Sequence, residues 1–388
     1  MERGRRSGSD DHAGASHQRR GRRIRGWACQ LRLAWGSERL PALGPVRVSV
    51  LIPAYNAEST VEPALASMLR QTLADIEIVV VNDGSTDSTP AILDDIAARD
   101  PRVRVIHAAQ RGIIEALNTG ISECRGELIA RMDADDVSHP RRLEMQVALM
   151  DEHPEVSVCG TLVCMFPRRE LLGGLVRYEQ WLNSLVTDED IARDMFVESP
   201  LAHPSVMVRR RELAAIGGYQ DHGWAEDYDL WLRYFVAGKH FAKVPKALVF
   251  WRQSQGRLTF TDPRYSVENF LRAKAHYLAR SFRSPLTTSG RSIILWGAGK
   301  TGRRLSKHLR REGVDFEAVI DIDPAKIGRT LRGRPIVGIE HLCLMLDRLP
   351  GVRPFVIAAV SSHGARELIR QQLRELGFAE SLDFVCAA

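Results

Sequence analysis

The chain has 388 residues, which corresponds to two or three domains at roughly 150 residues each. Hydrophobic residues make up 44% of the chain and charged residues 26%, a composition that excludes collagen-like, coiled-coil and wholly disordered proteins. The most apolar run, IEIVVV at 76–81, has the length of a strand. It is far shorter than the roughly 18 residues of a membrane helix, so we expect no transmembrane segment.

The positive net charge belongs to one end of the chain. Residues 1–47 contain eleven Arg and four acidic residues, a balance of +7 against +6 for the whole chain, so the remaining residues carry −1. A neutral body argues against nucleic acid as a partner. Residues 1–45 are rich in Arg, Gly and Ser and lack apolar periodicity, which predicts a disordered tail. A transit peptide and a start codon placed too far upstream are the alternatives.

The six Cys residues are scattered and form no CxxC pair; they stand at positions 29, 124, 159, 164, 343 and 386. A disulfide framework or a zinc site needs closer spacing. We therefore expect reduced thiols and a cytoplasmic protein.

Strands and helices alternate in the first part of the chain. Short apolar runs predict strands at 46–53, 77–82, 103–107 and 127–132, and helical spacing predicts helices at 58–71, 89–99 and 113–122. This order is typical of an α/β fold with a mainly parallel sheet, in which ligands bind at the carboxyl ends of the strands. We expect the polar runs 53–56, 82–85 and 133–136 to lie along one edge of that sheet.

The later part of the chain predicts a second, smaller domain. Residues 150–260 are less regular and rich in aromatic residues, and 281–292 resembles a linker. The strand and helix pattern then returns, with strands at 293–296, 318–321 and 355–360 and helices at 301–311 and 364–376. We therefore expect one domain at 46–285 and a small α/β domain at 286–388.

Three carboxylates follow the predicted strand at 127–132. Asp133, Asp135 and Asp136 would repel one another unless a cation neutralises them. Oxygen ligands alone favour a hard ion, Mg²⁺ or Mn²⁺. The alternative is a solvated acidic turn that caps the following helix.

Two further acidic motifs are candidates for chemistry. Glu226 and Asp227 precede an amphipathic helix, and a carboxylate there would serve as a general base if the fold brings it to the metal site. The alternative is a pair of acids that complements the helix dipole. Asp83, next to Gly84, is placed to accept from a base N–H or a ribose hydroxyl, and a plain turn is again the alternative.

The segment GAGKTG at 297–302 follows a strand and opens a helix. Gly297, Gly299 and Gly302, with Asp321 at the end of the next strand, meet the requirements of a dinucleotide site. A turn retained only for packing remains the alternative.

Seven segments, in order and at normal spacing over residues 46–255, resemble the successive motifs of glycosyltransferase family 2: VSVLIPAYNAE, IEIVVVNDGSTDST, GIIEALNTGI, GELIARMDADDVSHPRRLE, AHPSVMVRR, GGY and AEDYDLWLR. The resemblance implies a GT-A-type domain, an inverting mechanism and a nucleotide-diphosphate sugar donor, most often a UDP-sugar. It implies Asp227 as the catalytic base with Glu226 beside it, and Asp135 as a ligand of Mg²⁺ or Mn²⁺. The positions it implies for donor binding are Pro53, Tyr55, Glu58, Asp83, Asp133, His203 and Arg252.

The chain departs from that family at one position. Members often carry a His two residues after the Arg of a YR pair, and it can help to bind the metal. Ser254 stands there in this chain. The resemblance then leaves metal binding to Asp135 and the diphosphate.

The C-terminal segment resembles the small Rossmann-like module that precedes sugar acyltransferase domains. The segments IILWGAGKTGRRL, VIDIDPAKIGRTLRGRPIVG and FVIAAVSSHGARELI carry the resemblance over nearly all of 291–388. It implies a nucleotide or nucleotide-linked sugar as a ligand, and a binding or docking role.

Together these observations predict a cytoplasmic sugar transferase in polysaccharide, glycolipid or glycoprotein synthesis. The acceptor would be a carbohydrate, a lipid-linked molecule at the inner membrane face or a protein. Three alternatives remain: a sugar-phosphate nucleotidyltransferase, an NAD-dependent oxidoreductase that acts through GAGKTG, and a nucleotide-sugar sensor. PAYNAE lacks the basic Gly-rich loop of the first, and no Tyr-xxx-Lys pair supports the second.

Overall fold

Two sheets, each with its own helices, organise the chain. The structure is a computed structural model that describes residues 46–254, 256–283, 291–348, 353–362 and 364–388. The tail predicted at 1–45 lies outside these residues. The α/β class, the mainly parallel sheet and the second, smaller sheet domain are confirmed.

The first sheet has eight strands in the order β3-β2-β1-β4-β7-β6-β8-β5. Its strands are β1 (Val48–Ala54), β2 (Ile76–Asp83), β3 (Val103–Ala108), β4 (Leu128–Arg131), β5 (Val137–Ser138), β6 (Val156–Phe166), β7 (Met207–Arg209) and β8 (His240–Arg252). Its helices are α1 (Val61–Leu69), α2 (Thr89–Arg99), α3 (Ile113–Glu123), α4 (Arg142–Glu152), α5 (Gly173–Ser184), α6 (Asp188–Asp194), α7 (Arg210–Ala215), α8 (Glu226–Val236), α9 (Leu258–Thr261) and α10 (Val267–Arg283).

Strand β1 lies at the centre of the parallel half. All seven of its residues are buried, as are all eight of β2, which explains their continuous apolar sequences. In the parallel register Ala54 lies beside Asn82, and Leu51 lies beside Arg131 of β4. The polar runs that follow β1, β2 and β4 therefore lie along one edge of the sheet, as expected.

The region 150–260 is more regular than its sequence suggests. It contains the two longest strands of the sheet, β6 and β8, which pair in parallel with shifts in register. Gly160 and Pro245 interrupt their sequences and conceal the strand pattern. Strand β7 runs antiparallel between β4 and β6.

The second sheet has six strands in the order β11-β12-β10-β9-β13-β14. These are β9 (Ile293–Trp296), β10 (Ala318–Ile320), β11 (Thr330–Leu331), β12 (Arg334–Val337), β13 (Phe355–Ala358) and β14 (Phe384–Cys386), with helices α11 (Lys300–Arg311), α12 (Glu340–Arg348) and α13 (Ala365–Glu375). Strand β9 pairs in parallel with β10 and β13, the arrangement of a Rossmann-like domain.

Helix α10 joins the two halves, because it packs against α8 of the first and against α11 of the second. Glu268 of α10 accepts from Arg304 at 2.9 Å and lies 2.6 Å from His308 Nε2, both on α11. Among the described helices, none is both long and apolar enough to cross a membrane.

Candidate active site

The carboxylate cluster occupies the turn between β4 and β5. Oxygen atoms of Asp133, Asp135 and Asp136 all lie within 4.8 Å of one another. Burial raises the pKa of Asp135 to about 6, and the charge of Asp133 adds to the shift. Burial likewise raises the pKa of Asp136, which lies next to both other carboxylates.

These carboxylates fit a divalent cation. The Oδ2 atom of Asp136 is buried and has no hydrogen-bond partner among the described residues. Three carboxylates that converge within this distance offer only hard oxygen ligands, which Mg²⁺ and Mn²⁺ prefer.

Three arginines contact the carboxylate cluster or the backbone around it. Arg131 is buried and forms an ion pair with Asp133. Arg142 is fully buried and donates to the carbonyl oxygen of Arg131 at 2.7 Å. Arg252 donates its backbone N–H to Asp136 at 2.6 Å and its Nε–H to the carbonyl oxygen of Asp135 at 2.7 Å. Arg252 therefore supports the backbone of the turn.

The acidic pair Glu226 and Asp227 opens helix α8. The hydroxyl of Tyr265 donates to Glu226, whose two carboxylate oxygens lie 2.8 and 2.7 Å away. Burial raises the pKa of Glu226, and this hydrogen bond opposes the shift. Burial raises the pKa of Asp227 to about 7, and the neighbouring charge of Glu226 is the second cause. A carboxylate with such a pKa suits proton transfer near neutral pH.

His203 stands beside the cluster as a neutral imidazole. Its Nε2 lies 2.6 Å from the hydroxyl of Tyr219, and burial lowers its pKa well below the usual value, with the charge of Arg131 as a second cause. The hydrogen bond to Tyr219 fixes the orientation of the ring.

One cavity of about 1540 Å³ brings part of the predicted site together. The predicted residues that line it are Asp133, Asp135, His203, Glu226 and Asp227. Pro53, Tyr55, Glu58, Asp83 and Arg252 are not among the described residues of its wall.

Loops after β1 and β2 hold that second group at the neighbouring edge of the sheet. Asn56 donates its N–H to Ser85 at 2.9 Å and accepts from the Thr86 N–H at 2.8 Å. Glu58 accepts from the N–H of Ser88 at 3.0 Å. These bonds tie the two loops to each other.

Asp83 organises a third loop at this edge. Its two oxygens accept the N–H groups of Arg111 and Gly112 at 2.8 and 2.9 Å. Gly84 has a φ of +68°, and a Cβ there would lie 2.6 Å from the backbone nitrogen of Gln110. Only glycine fits this turn without strain. Tyr55, in contrast, leaves 46% of its surface exposed.

Comparisons with known proteins agree with this geometry. Residues 49–216 match the model of glycosyl transferase family 2, and residues 288–373 match that of a CoA binding domain. The chain is 35% identical over 204 residues to the amylovoran biosynthesis glycosyltransferase AmsE of Erwinia amylovora, an alignment that covers 52% of this chain and 74% of that protein. The chain belongs to glycosyltransferase family 2.

Two further similarities were found. A chondroitin synthase of Escherichia coli is 30% identical over 200 residues, which cover 51% of this chain and 28% of that protein. The structure of S. aureus TarS 1-349 in complex with UDP matches with a TM-score of 0.50 at 19% identity, and covers 69% of this chain and 71% of that one. This second likeness concerns the fold alone.

Several residues around the site of this glycosyltransferase were not predicted from the sequence. The cavity wall also contains Arg131, Tyr178, Trp181, Trp251, Arg257 and Tyr265. The guanidinium of Arg257 lies over the ring of Trp251 at 4.5 Å from its centroid. The many aromatic residues of 150–260 were a signal for part of this wall, whereas nothing in the local pattern marked Tyr265.

The GAGKTG turn of the second domain is explained in part by packing. A Cβ on Gly302 would lie 1.8 Å from the carbonyl oxygen of Gly297, and one on Gly297 would lie 2.8 Å from Val360. A Cβ on Gly299 would meet no atom within 4 Å. Asp321 accepts from the N–H of Ala298 at 2.7 Å.

Proposed function

We propose that this glycosyltransferase moves a sugar from a nucleotide-diphosphate donor, a UDP-sugar, to an acceptor hydroxyl with inversion at the anomeric carbon. One observation carries the proposal: a single cavity is lined by Asp133 and Asp135 of the carboxylate cluster and by Asp227, whose pKa burial raises to about 7. A base poised near neutral pH beside a site for a cation is what this displacement needs.

Asp227 is the proposed catalytic base. It takes the proton of the acceptor hydroxyl while that oxygen attacks the anomeric carbon, and the bond from this carbon to the diphosphate breaks on the opposite face. The products are the lengthened acceptor and a nucleoside diphosphate. Burial of Asp227 and the charge of Glu226 support this role, because both raise the proton affinity of the carboxylate.

Asp133, Asp135 and Asp136 are the proposed holders of Mg²⁺ or Mn²⁺. If they bound such an ion, it would supply positive charge to offset the negative charge that develops on the departing diphosphate. His203, neutral and held by Tyr219, lines the same cavity and is proposed to contact the donor.

The loops after β1 and β2 are proposed to bind the nucleoside. Tyr55 has an exposed ring that would stack on the base, and Pro53, Glu58 and Asp83 lie in or beside the same loops. Arg252 is proposed to support the donor site through the turn that it holds. Hydrogen bonds hold these two polar loops to each other, so the site is ordered before the ligand binds and less entropy is lost on binding.

The acceptor is proposed to belong to polysaccharide or related glycoconjugate synthesis in the cytoplasm. Support comes from the named relatives, one in amylovoran biosynthesis and one a chondroitin synthase. Burial raises the pKa of the Cys124 and Cys159 thiols to about 12, so both stay protonated and unreactive.

A thermal-shift screen of nucleotide-sugars and NAD(H), with and without Mn²⁺, tests the proposal. A ligand at about 100 times its dissociation constant stabilises the folded protein by about 2.7 kcal/mol. We expect a Mn²⁺-dependent shift with one UDP-sugar, and its loss in Asp135→Asn. Asp227→Asn should keep the shift but lose turnover of the donor. Stabilisation by NAD(H) alone that survives Asp135→Asn would contradict the proposal.

A further inference from the structure

The catalytic cavity does not end at the first sheet. Its wall continues onto the second domain through Thr301 at the start of α11, Ser361 after β13, and Arg366 on α13. At about 1540 Å³ the cavity exceeds the roughly 300–1000 Å³ of a site for one drug-sized ligand. It therefore has room for a second ligand beside the donor.

The second domain is held firmly in this position. Arg370 of α13 forms a buried ion pair with Asp194 of α6, and Asp194 also accepts from the indole N–H of Trp181 at 2.8 Å. The buried ammonium of Lys274 donates to the carbonyl oxygens of Val197 at 2.7 Å and Ala387 at 3.3 Å. These contacts make the second domain a fixed wall of the cavity.

The chemistry of the wall suits a carbohydrate. The rings of Tyr178, Trp181 and Trp251 line the same cavity, and the centroids of Trp181 and Trp251 lie 5.7 and 6.4 Å from that of Tyr178. Aromatic faces attract the C–H face of a pyranose ring, and hydroxyl and guanidinium groups bond its hydroxyls. On the second domain, the hydroxyls of Thr301 and Ser361 form a hydrogen bond with each other at 2.8 Å, which leaves one hydroxyl proton and the remaining lone pairs for a ligand.

A dinucleotide at the GAGKTG turn, whose Asp321 lies outside the described cavity wall, suits the structure less well. The acidic residue that would hold its ribose, Asp321, already accepts from the N–H groups of Ala298 and Asp323 at 2.7 and 2.9 Å. Lys326 also lies 3.3 Å from each of its oxygens. The carboxylate of Asp321 therefore already has hydrogen-bond partners on both oxygens within its own domain.

We infer that the second domain forms the distal part of the acceptor site and binds the sugars of an oligosaccharide that precede its reacting end. The inference rests on the proposed glycosyl transfer. It predicts that the enzyme prefers an acceptor of two or three sugars to a single sugar, and that Ser361 lies at a sugar which does not react.

The experiment measures UDP release with Mn²⁺ and the UDP-sugar that stabilises the protein. The acceptors are glucose, galactose and N-acetylglucosamine and their β-linked di- and trisaccharides. Ser361→Trp places an indole in the distal wall, and Arg366→Gln removes a charge there. Leu368→Trp is the matched control, because Leu368 is 63% exposed on the same domain and outside the cavity wall.

The wild-type protein should favour a trisaccharide over its monosaccharide by about tenfold in kcat/KM, equivalent to about 1.4 kcal/mol. Ser361→Trp should lose this advantage and Arg366→Gln part of it, whereas Leu368→Trp should keep it. Equal use of all lengths by the wild type, or an advantage that survives in Ser361→Trp with a cooperative unfolding transition, would overturn the inference. The thermal shift with the UDP-sugar separates the two ideas: a wild type that neither binds a UDP-sugar with Mn²⁺ nor releases UDP with any acceptor counts against glycosyl transfer itself, whereas binding and UDP release without a preference for length overturn the inference alone.

Discussion

Replacing Glu226 with Gln tests how much the charge of Glu226 raises the pKa of the proposed base, Asp227. The substitution removes a negative charge but keeps an oxygen that accepts from the Tyr265 hydroxyl. Since burial and the charge of Glu226 together raise the pKa of Asp227 to about 7, loss of that charge should lower it. Burial remains, so the pKa should stay above the ordinary aspartate value of 3.8.

The size of the shift follows from Coulomb's law. Two unit charges about 6 Å apart interact by roughly 3 kcal/mol at an effective dielectric constant of about 20. One pKa unit corresponds to about 1.4 kcal/mol. Glu226 and Asp227 are adjacent at the start of α8, so the acidic limb of the pH–rate profile should move down by about one to two units.

The assay is the pH dependence of kcat/KM for donor consumption in wild type and Glu226→Gln. A base acts unprotonated, so the variant should be relatively more active on the acid side of neutrality.

The pH dependence of stability gives a second test of the same shift. The folded state keeps this proton up to about pH 7 and the unfolded chain loses it near 3.8, so the free energy of unfolding falls as pH rises between these values. In Glu226→Gln the free energy of unfolding should fall less over this pH range, because the pKa of Asp227 is lower there. An acidic limb that stays in place or moves upward would refute the reasoning.

Two further predictions test the packing of the second domain, each with a variant and a comparison variant. Arg370→Met leaves the buried carboxylate of Asp194 without its main partner and should lower the free energy of unfolding by about 3 kcal/mol in urea titrations. Adding Asp194→Leu should recover the part of that loss that belongs to Asp194 but not the part that belongs to Glu380, which Arg370 also holds at 2.7 Å, and a double variant with no recovery at all would contradict the electrostatic cause. Gly302→Ala drives a Cβ to 1.8 Å from a carbonyl oxygen and should destabilise the second domain. Gly299→Ala meets no atom within 4 Å, so equal melting temperatures for these two variants would contradict the packing argument.

Much of the fold was predictable because local patterns determine it. The strands β1 and β2 are buried on both faces, so their sequences are continuous apolar runs, and each ends in a polar loop. Parallel pairing then brings those loops to one edge regardless of side-chain detail. The helix that begins at Glu226 was predictable for a similar reason, since Leu230 and Tyr234 recur at helical spacing and are fully buried.

What escaped prediction depends on contacts between distant segments. Tyr265 reaches Glu226 across 39 positions of the chain, and Arg252 reaches Asp136 across 116. The helical and strand periodicities of the sequence carry no information about pairs so far apart in the chain. The shape of the cavity is harder still, because the wall at Ser361 belongs to a domain that folds around a different sheet.

The contact of α10 with the second domain restricts how this protein can be truncated or recombined. Glu268 and Lys274 lie on α10, whereas the groups that they bind, His308 and the carbonyl of Ala387, belong to the second domain. A fragment that ended after α10 would uncover a buried ammonium and an apolar helix face together. The two domains therefore depend on each other to bury these groups, and an exchange of the second domain between relatives would succeed only if the matching residues of α10 were exchanged with it.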